Sequence, residues 1–459
     1  MRGKNRRQIL EMEKLFKEIL KKITPTAEEH KKENKLVEDI SKKLAKYDVK
    51  PILVGSLAKG TDIRGDKDID IFIMFHKDVS RPELEKRGLD IGKKVFGDMK
   101  IPYEIDYAEH PYLSGAYENY KIEIVPCYDT KEVKSAVDRT PYHTHYVKKR
   151  LAKEPGLKDE IRLLKQFMKG AGVYGAEAKV EGFSGYLCEL LALSYGSFTG
   201  ALNAAASWKY GEAIDPEGLW KDKNALKYFF TGADLIIVDP VDKDRNAAAA
   251  VSKQRMAEYM VASREFLKKP GQEYFFPAKK KDADAKELLK RMKARGTKLI
   301  ALELTHPKIN PNTLYSQLRK TREAVNNSIQ EQGFRVLKSD LWTDEGKTSL
   351  IIYELEVFAL PNIKHRTGPP VDRAVQEQEN FLKKYSKYKP YIRNGNWAAD
   401  IKRENTRIED LMQKIIEKRE GFGKNLRTLK EIKAITGEEI LKTGNKGLLA
   451  FMDGFVTPI

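Results

Sequence analysis

The stretch at residues 68–75, Asp-Ile-Asp-Ile-Phe-Ile-Met-Phe, constrains the fold more than any other part of the sequence. Side chains two apart on a strand point to the same side, so Asp68 and Asp70 share one face and the isoleucines share the other. Two carboxylates buried side by side are costly without a cation beside them. Mg²⁺ prefers oxygen ligands of this kind. The stretch therefore predicts a half-buried strand with metal-binding acids on one face.

Glu123 extends this acidic pattern. It lies in the stretch Lys-Ile-Glu-Ile-Val at 121–125, which also alternates charged and apolar residues, and we expect the two strands to be neighbours. Three carboxylates can hold two metal ions about 3.5–4 Å apart, the arrangement that supports in-line phosphoryl displacement. An Asp-x-Asp pair by itself is also typical of a solvated strand face, so a second element has to support the interpretation.

That second element is Gly55-Ser56, which follows a short predicted strand at 51–54 and opens a helix or turn. Glycine allows a close approach of the backbone, and a helix N-terminus with a serine hydroxyl can bind phosphate. Lys59, one helical turn later, adds a positive charge. Together with the acidic strand, this pattern indicates a nucleotide site that uses metal ions.

The charge balance favours a polyanionic partner. The 459 residues include 85 Lys+Arg and 67 Asp+Glu, a formal net charge of +18, which attracts nucleic acid. The alternative is a lysine-rich surface that only aids solubility. No apolar run reaches the roughly 18–20 residues that span a bilayer. Cys127 and Cys188 lie in apolar stretches, so we expect both thiols to be buried and reduced. Together with the lack of a long apolar run, this predicts a cytoplasmic protein with no membrane partner.

We expect an α+β multidomain fold, since about 150 residues per domain suggests roughly three domains. The patterns predict a mixed-sheet domain at 1–150, a helical central domain at 151–275 and a C-terminal region at 276–459. Within the last, strand, helix and two further strands predict a small α+β unit at about 297–360. The remainder, 361–459, is expected to be helical and basic.

Three other motifs lack the context that their usual functions require. The G-x-G-x-x-G at 170–175 follows a helical stretch rather than a strand, so it predicts a helix end and a turn. The Gly-Lys-Thr-Ser at 346–349 lacks the first glycine of a phosphate loop and indicates a hairpin turn. His143-Thr-His145 has neither cysteine nor a second motif nearby to suggest a metal site.

The runs GSLAKGT (55–61) and DIDIF (68–72) resemble the polymerase-beta-type nucleotidyltransferase superfamily. Further stretches are similar to the class I, archaeal-type CCA-adding enzymes, the tRNA nucleotidyltransferases. They are YAEHPY (107–112), IEIVPCY (122–128), SAVDRTPYH (135–143), RLLKQFMKGAGVYGAE (162–177), GFSGYLCELL (182–191), VDPVDKDRNAA (238–248), NGNW (394–397) and GKNLR (423–427). The resemblance spans nearly the whole chain and is most specific through residue 250.

The resemblance implies that Asp68, Asp70 and Glu123 are catalytic residues that bind Mg²⁺. Glu123 stands where the family often has an aspartate, and its longer side chain can still bind the metal. Glu109 and His110 match a pair of residues that supports the metal ligands without binding the metal itself.

The resemblance also implies a set of residues that bind the incoming nucleotide: Gly55, Ser56, Lys59, His143, Lys165, Tyr174 and Arg245. Lys59 stands where an arginine is often seen, so a point charge replaces a bidentate contact. Arg245 matches the residue that contacts the base. Each has an ordinary structural alternative. His143 could be a packed histidine, Lys165 a solvated lysine, Tyr174 a core residue, and Arg245 an ion-pair partner of Asp242 or Asp244.

The implied activity is addition and repair of the 3′-terminal CCA of tRNA from CTP and ATP, without a template. The N-terminal domain would be catalytic, the central domain would complete the nucleotide pocket, and the C-terminal region would bind the acceptor arm and elbow of tRNA. The family suggests a homodimer. Rival interpretations are a poly(A) polymerase-like enzyme, a non-catalytic RNA-binding protein on the same scaffold, and a small-molecule nucleotidyltransferase, which would not need this length or charge.

Overall fold

A computed structural model describes residues 2–107, 109–130, 136–278 and 283–457. The chain divides into two compact units, Met1–Ala278 and Lys279–Ile459. Each unit has its own sheets and its own apolar cores.

The first unit contains ten α-helices, a 3-10 helix at Gln272–Tyr274 and eight strands within its described residues. The helices are α1 (Arg2–Ile23), α2 (Ala27–Leu44), α3 (Gly55–Lys59), α4 (Arg81–Asp98), α5 (Ala136–Lys153), α6 (Leu157–Gly170), α7 (Gly185–Tyr195), α8 (Phe198–Ser207), α9 (Lys223–Phe229) and α10 (Lys253–Lys268). The strands are β1 (Lys50–Leu53), β2 (Asp68–His76), β3 (Tyr103–Tyr107), β4 (Pro111–Tyr117), β5 (Tyr120–Asp129), β6 (Glu212–Ile214), β7 (Leu235–Asp239) and β8 (Asp242–Asn246).

A five-stranded mixed sheet with the order β1-β2-β5-β4-β3 forms the first part of this unit. Strands β2 and β5 pair in parallel, and the other neighbours are antiparallel. One face of the sheet is apolar and packs with residues of α2 and α4, such as Ile40 and Val95, around Ile71. The acidic residues of β2 therefore lie on the opposite face, as their alternation predicts.

Strand β4 was not among the predicted strands. Its sequence, Pro-Tyr-Leu-Ser-Gly-Ala-Tyr, has no clear alternation, because only Leu113 of its odd positions is a large apolar core residue. The strand forms because β3 and β5 supply hydrogen-bonding partners on both of its sides.

The rest of the first unit is mainly helical, as predicted for the central region. An aromatic cluster holds α6, α8 and α10 together, and the ring of Phe167 lies 5.5 Å from those of both Phe198 and Phe266. Strand β7 is the middle strand of a small sheet with the order β6-β7-β8.

The second unit contains seven α-helices, a 3-10 helix at Ser386–Tyr388 and seven strands within its described residues. The helices are α11 (Ala285–Ala294), α12 (Pro311–Glu331), α13 (Val375–Tyr385), α14 (Ile408–Lys418), α15 (Lys424–Arg427), α16 (Gly437–Lys442) and α17 (Lys446–Phe455). The strands are β9 (Lys298–Thr305), β10 (Arg335–Thr343), β11 (Thr348–Val357), β12 (Ile363–Pro370), β13 (Tyr391–Arg393), β14 (Asn396–Lys402) and β15 (Glu431–Thr436).

The predicted α+β unit at 297–360 is confirmed: β9, α12, β10 and β11 follow in the expected order. The prediction that 361–459 is helical was wrong in part, because β12, β13 and β14 form a separate sheet and β15 joins β9. Strand β12 reads Ile-Lys-His-Arg-Thr-Gly-Pro-Pro and is largely exposed, so it lacks apolar alternation. Strand β15 finds its partner more than 120 residues earlier in the chain.

The rejected motifs have the ordinary structures that were expected. Gly170 ends α6, and Gly346 lies in the hairpin turn between β10 and β11. Cys127 and Cys188 are buried, unpaired thiols. Of the helices in the described ranges, none is both long enough and apolar enough to cross a membrane.

Candidate active site

The acidic face is built by the parallel pair β2 and β5. Asp70 lies directly opposite Glu123, and Asp68 lies opposite Lys121. The prediction that these strands are neighbours is confirmed. Asp68, at the start of its strand, is exposed, whereas Asp70 and Glu123 are partly buried.

The charge on this face is high. Partial burial and the negative charges of Glu123 and Asp68 raise the pKa of Asp70 to about 7. The Lys121 ammonium donates to Oε1 of Glu123 at 2.5 Å. Hard carboxylate oxygens that repel one another in this way are a donor set that fits a divalent cation.

The three acids are not drawn into one tight cluster. In the part of the chain that the structure describes, the only group of three or more ligand-type side chains with donor atoms all within 4.8 Å of one another is His30, Glu33 and Asp62. Mutual repulsion keeps like charges apart, and Lys121 neutralises Glu123 instead.

Gly55 places the predicted phosphate-binding element against this face. It begins α3 with a φ of +75°, and a Cβ atom there would lie 2.2 Å from Oδ2 of Asp70. A larger residue here would have a strained backbone and would push the Asp70 carboxylate aside, so both the conformation and the approach of Asp70 favour glycine. The five-residue helix then carries Ser56 and Lys59.

A cavity of about 250 Å³ lies beside α3. Six of the seven residues predicted to bind nucleotide line it, and Arg245 is the exception. The lining consists of Gly55, Ser56, Lys59, Thr140, His143, Thr144, Lys165, Tyr174, Gly185, Tyr186 and Glu189. Residues separated by more than 100 positions in sequence thus meet in one place. The alternative that Lys165 is a solvated lysine is wrong, because it is almost fully buried.

Glu189 binds both lysines of the cavity, and the sequence analysis missed it. Its Oε2 accepts from Nζ of Lys59 at 2.6 Å, and its Oε1 lies 3.2 Å from Nζ of Lys165 and 2.6 Å from Oγ1 of Thr61. Burial alone would raise the pKa of this carboxyl, but the two ammonium groups outweigh it and hold the value at about 2. One carboxylate faces two ammonium groups, so the cavity keeps a net positive charge.

Asp239 is the second residue that was missed. Its buried carboxylate accepts from Nη1 of Arg245 at 2.7 Å and from the Tyr186 hydroxyl at 3.0 Å, and it lies 2.8 Å from Nε2 of His143. The His143 and Tyr186 rings stack with centroids 3.9 Å apart. Burial lowers the pKa of His143, although Asp239 opposes the effect. Asp239 thus connects Arg245 to the cavity.

The alternative ion pairs for Arg245 were wrong. The Arg245 guanidinium binds Asp239, while Asp242 accepts from Nε of Arg139 at 3.0 Å. Asp239 ends the apolar run Leu-Ile-Ile-Val, whereas Glu189 lies inside an apolar run. A lone acid in a run such as Leu-Cys-Glu-Leu-Leu is the one signal that could have indicated Glu189.

Glu109 and His110 lie outside the cavity. His110 is buried, with Nε2 2.6 Å from the carbonyl oxygen of Pro126 on β5 and Nδ1 3.3 Å from Nη2 of Arg81. The Glu109 side chain is exposed, and its backbone carbonyl accepts from Arg81. His110 thus packs against the strand that carries Glu123.

Tyr174 follows the end of α6. Its side chain is partly buried, and Nζ of Lys169 lies 5.1 Å from its ring centroid. A Cβ atom added to Gly185 would come within 3.0 Å of the Tyr174 hydroxyl, so that glycine gives the ring room at the cavity wall.

Three family descriptions match successive parts of the chain: "Nucleotidyltransferase domain" at 33–143, "tRNA nucleotidyltransferase, second domain" at 159–276 and "CCA-adding enzyme, C-terminal domain" at 295–436.

Curated relatives match over most of the length. The chain is 36% identical to the CCA-adding enzyme of Methanothermobacter thermautotrophicus, over 96% of this chain and 98% of that one. It is 38% identical to the CCA-adding enzyme of Methanocaldococcus jannaschii, over 89% of this chain and 91% of that one. It is 37% identical to the CCA-adding enzyme of Methanosarcina mazei, over 86% and 87%. With its nucleotidyltransferase sheet and these relatives, the chain belongs to the archaeal-type CCA-adding enzyme family.

Proposed function

We propose that this protein adds and repairs the 3′-terminal CCA of tRNA from CTP and ATP without a template. Family membership supports the reaction class. The observation that carries the assignment to this site is the cavity beside α3, where Lys59 and Lys165 share the single carboxylate of Glu189. A fixed excess of positive charge next to an acidic face suits a nucleoside triphosphate and its metal ions.

The acidic face would hold divalent cations, Mg²⁺ in our proposal, through Asp68, Asp70 and Glu123. When bound, such ions lower the pKa of an attacking hydroxyl and stabilise charge on phosphoryl oxygens. The chain contributes the placement of the acids, because the register of β2 and β5 aligns Asp70 with Glu123. Gly55 keeps Asp70 next to the start of α3.

In the transfer itself, the 3′-hydroxyl of the RNA attacks the α-phosphorus and pyrophosphate leaves. We assign stabilisation of the leaving group to Lys59, Lys165 and Ser56, which line the same cavity wall. His143 and Tyr174 would contact the triphosphate and the sugar. Tyr186 holds His143 by stacking on its ring, and Asp239 holds it through Nε2.

Base recognition would belong to Arg245. Asp239 holds the guanidinium through Nη1, which leaves its other nitrogens available to a base. An arginine can donate to either cytosine or adenine, so the growing RNA end would help to select the nucleotide. Glu109 and His110 would support β5 behind the acids.

We further propose three domains: a catalytic domain at 1–150, a central domain at 151–275 that completes the pocket, and a C-terminal region at 276–459 that binds the acceptor arm and elbow of tRNA. The excess of basic residues supports contact with RNA phosphates. A homodimer and a cytoplasmic location are part of the same proposal.

The test uses purified protein, Mg²⁺ and tRNA trimmed of its last three nucleotides. CTP and ATP are given separately and together. We expect addition of C, C and then A, followed by a stop. Asp68→Asn and Asp70→Asn should each abolish addition while tRNA affinity stays within about twofold. Long A-tracts from ATP alone would instead indicate a poly(A) polymerase, and tRNA binding without any incorporation would indicate a non-catalytic protein.

A further inference from the structure

A second group of metal-ligand side chains lies away from the acidic face. It consists of His30 and Glu33 on α2 and Asp62 in the segment after α3, and we call it the His30 cluster. One donor atom from each residue lies within 4.8 Å of the others. Nδ1 of His30 is 3.4 Å from Oε2 of Glu33, and Nε2 of His30 is 3.9 Å from Oδ2 of Asp62.

Both carboxylates of the cluster are buried, and each has an oxygen without a hydrogen bond. Glu33 is 6% exposed and Asp62 is 4% exposed. Oε2 of Glu33 and Oδ1 of Asp62 accept no hydrogen bond, although Oε2 faces the His30 ring. Buried polar atoms are nearly always paired, and a buried charge without a partner is strongly unfavourable. The two acids therefore need a positive partner that the neighbouring side chains do not fully supply.

The nearest guanidinium, that of Arg162, does not supply the missing hydrogen bonds to the carboxylates of Glu33 and Asp62. Nη2 of Arg162 is 3.9 Å from Oδ1 of Asp62, too far for a hydrogen bond. Its N–H groups donate elsewhere, to the carbonyls of Asp62 and Gly60 and to Asp159.

The cluster is held on rigid elements. His30 and Glu33 are three residues apart on α2 and so share one face of that helix. A capping box between Thr26 and Glu29 fixes the start of the helix. The segment that carries Asp62 is tied back to α1, because the Arg64 amide donates to the Ile23 carbonyl at 2.6 Å.

We propose that the His30 cluster binds one divalent transition-metal ion of the zinc type, which ties α2 to the segment leading into β2. One imidazole nitrogen and two carboxylate oxygens suit Zn²⁺ better than Mg²⁺. Ligands at about 2.0–2.2 Å from a tetrahedral ion lie about 3.3–3.6 Å from one another. A single ion can bind only one of the two His30 nitrogens. Nδ1 lies 3.4 Å from Oε2 of Glu33 and Nε2 lies 3.9 Å from Oδ2 of Asp62, and with one donor atom taken from each residue all three atoms lie within 4.8 Å of one another. His30 is the most exposed of the three residues, which provides an entry path.

The experiment measures zinc binding by the full chain in an Asp68→Asn, Asp70→Asn background, which removes two acids of the other site. Equilibrium dialysis against Zn²⁺ alone should give one tight equivalent. His30→Ala and Glu33→Gln should each lose that equivalent, and circular dichroism should show that both variants remain folded.

A matched control is His76→Ala, which removes another histidine next to an acid. His76 lies 2.9 Å from Asp78, but both side chains are mostly exposed. This variant should keep the equivalent. Absence of a bound equivalent in the parent, or an equivalent that survives both His30→Ala and Glu33→Gln, would overturn the proposal. Neither outcome depends on CCA addition, because no tRNA or nucleotide is present.

Discussion

Gly55 and Asp70 fit together without room for one additional carbon atom: a Cβ at position 55 would lie 2.2 Å from Oδ2 of Asp70. The start of α3, which we propose binds phosphate, and the acidic strand are therefore positioned against each other directly. A change at either residue should disturb the other.

Gly55→Ala should abolish nucleotide addition, because the new methyl group displaces the Asp70 carboxylate. Its backbone strain at positive φ should also lower the free energy of unfolding by about 1–2 kcal/mol. Gly172→Ala is the matched control, since Gly172 has a φ of +72° with nothing within 4 Å of the added carbon. It should lose similar stability and keep its activity. Activity is measured on trimmed tRNA. Equal losses of activity in the two variants would contradict a clash between the added methyl group and the Asp70 carboxylate.

Glu189→Gln should lower the free energy of unfolding by about 3–5 kcal/mol, because it leaves the buried ammonium groups of Lys59 and Lys165 without a counter-charge. Urea denaturation measures the effect. Glu217→Gln breaks a half-exposed pair with Arg150 at 2.5 Å and should cost less than about 1 kcal/mol. A Lys59→Met, Glu189→Gln double variant should be less destabilised than the sum of its single changes. Additive losses would show that the two residues do not interact.

The Glu189 carboxyl also predicts that the free energy of unfolding depends on pH. The pKa of Glu189 is about 2 in the folded chain, against an ordinary value of 4.5. Between these values the unfolded chain binds more protons, so stability falls as the pH is lowered. The stability that Glu189 contributes is thus fully present above pH 4.5 and is lost progressively toward pH 2.

Urea midpoints at pH 7, 5 and 3 test this dependence. The native chain should have a higher free energy of unfolding than Glu189→Gln. At about 1.36 kcal/mol per pH unit, this difference should shrink by about 2 kcal/mol between pH 4.5 and pH 3. A difference between the two proteins that stays constant down to pH 3 would rule out the depressed pKa.

Asp239→Asn should lower kcat/KM for C and A addition by about 10–100-fold. Oδ2 of Asp239 contacts both Arg245 and His143, and Oδ1 accepts from the Tyr186 hydroxyl and the Val241 amide. The substitution replaces one of these acceptor oxygens with a donor and removes the negative charge that faces Arg245, and a hydrogen bond to a charged group contributes about 1.5–3 kcal/mol. Asp242→Asn, which removes only the contact with Arg139, should stay within about twofold. Steady-state addition to trimmed tRNA distinguishes the variants, and a comparable loss in both would argue against Asp239 as a positioning residue.

Local patterns were sufficient to predict the acidic strands. The alternation at 68–75 and 121–125 is set by one buried and one polar face, and that periodicity can be read directly from the sequence. The α+β unit at 297–360 was predictable for the same reason. Strands β4 and β12 were not, because sheet partners rather than their own alternation stabilise them.

The partners inside the cavity could not be predicted either. Lys59 and Glu189 are 130 positions apart, and nothing local to either residue specifies the other. The contact of Asp239 could not be predicted for the same reason, because its carboxylate contacts His143, which lies 96 positions earlier in the sequence. The resemblance predicted which residues would bind nucleotide, but not which buried acids contact those residues.

The parallel pairing of β2 with β5 also bears on how the protein is made. Between the two strands the chain runs through α4, β3 and β4. On the side where β5 pairs with β2, Asp70 therefore has no neighbouring strand until residue 123 and the strand around it have emerged from the ribosome. A nascent chain therefore has no complete acidic face before the whole sheet can close.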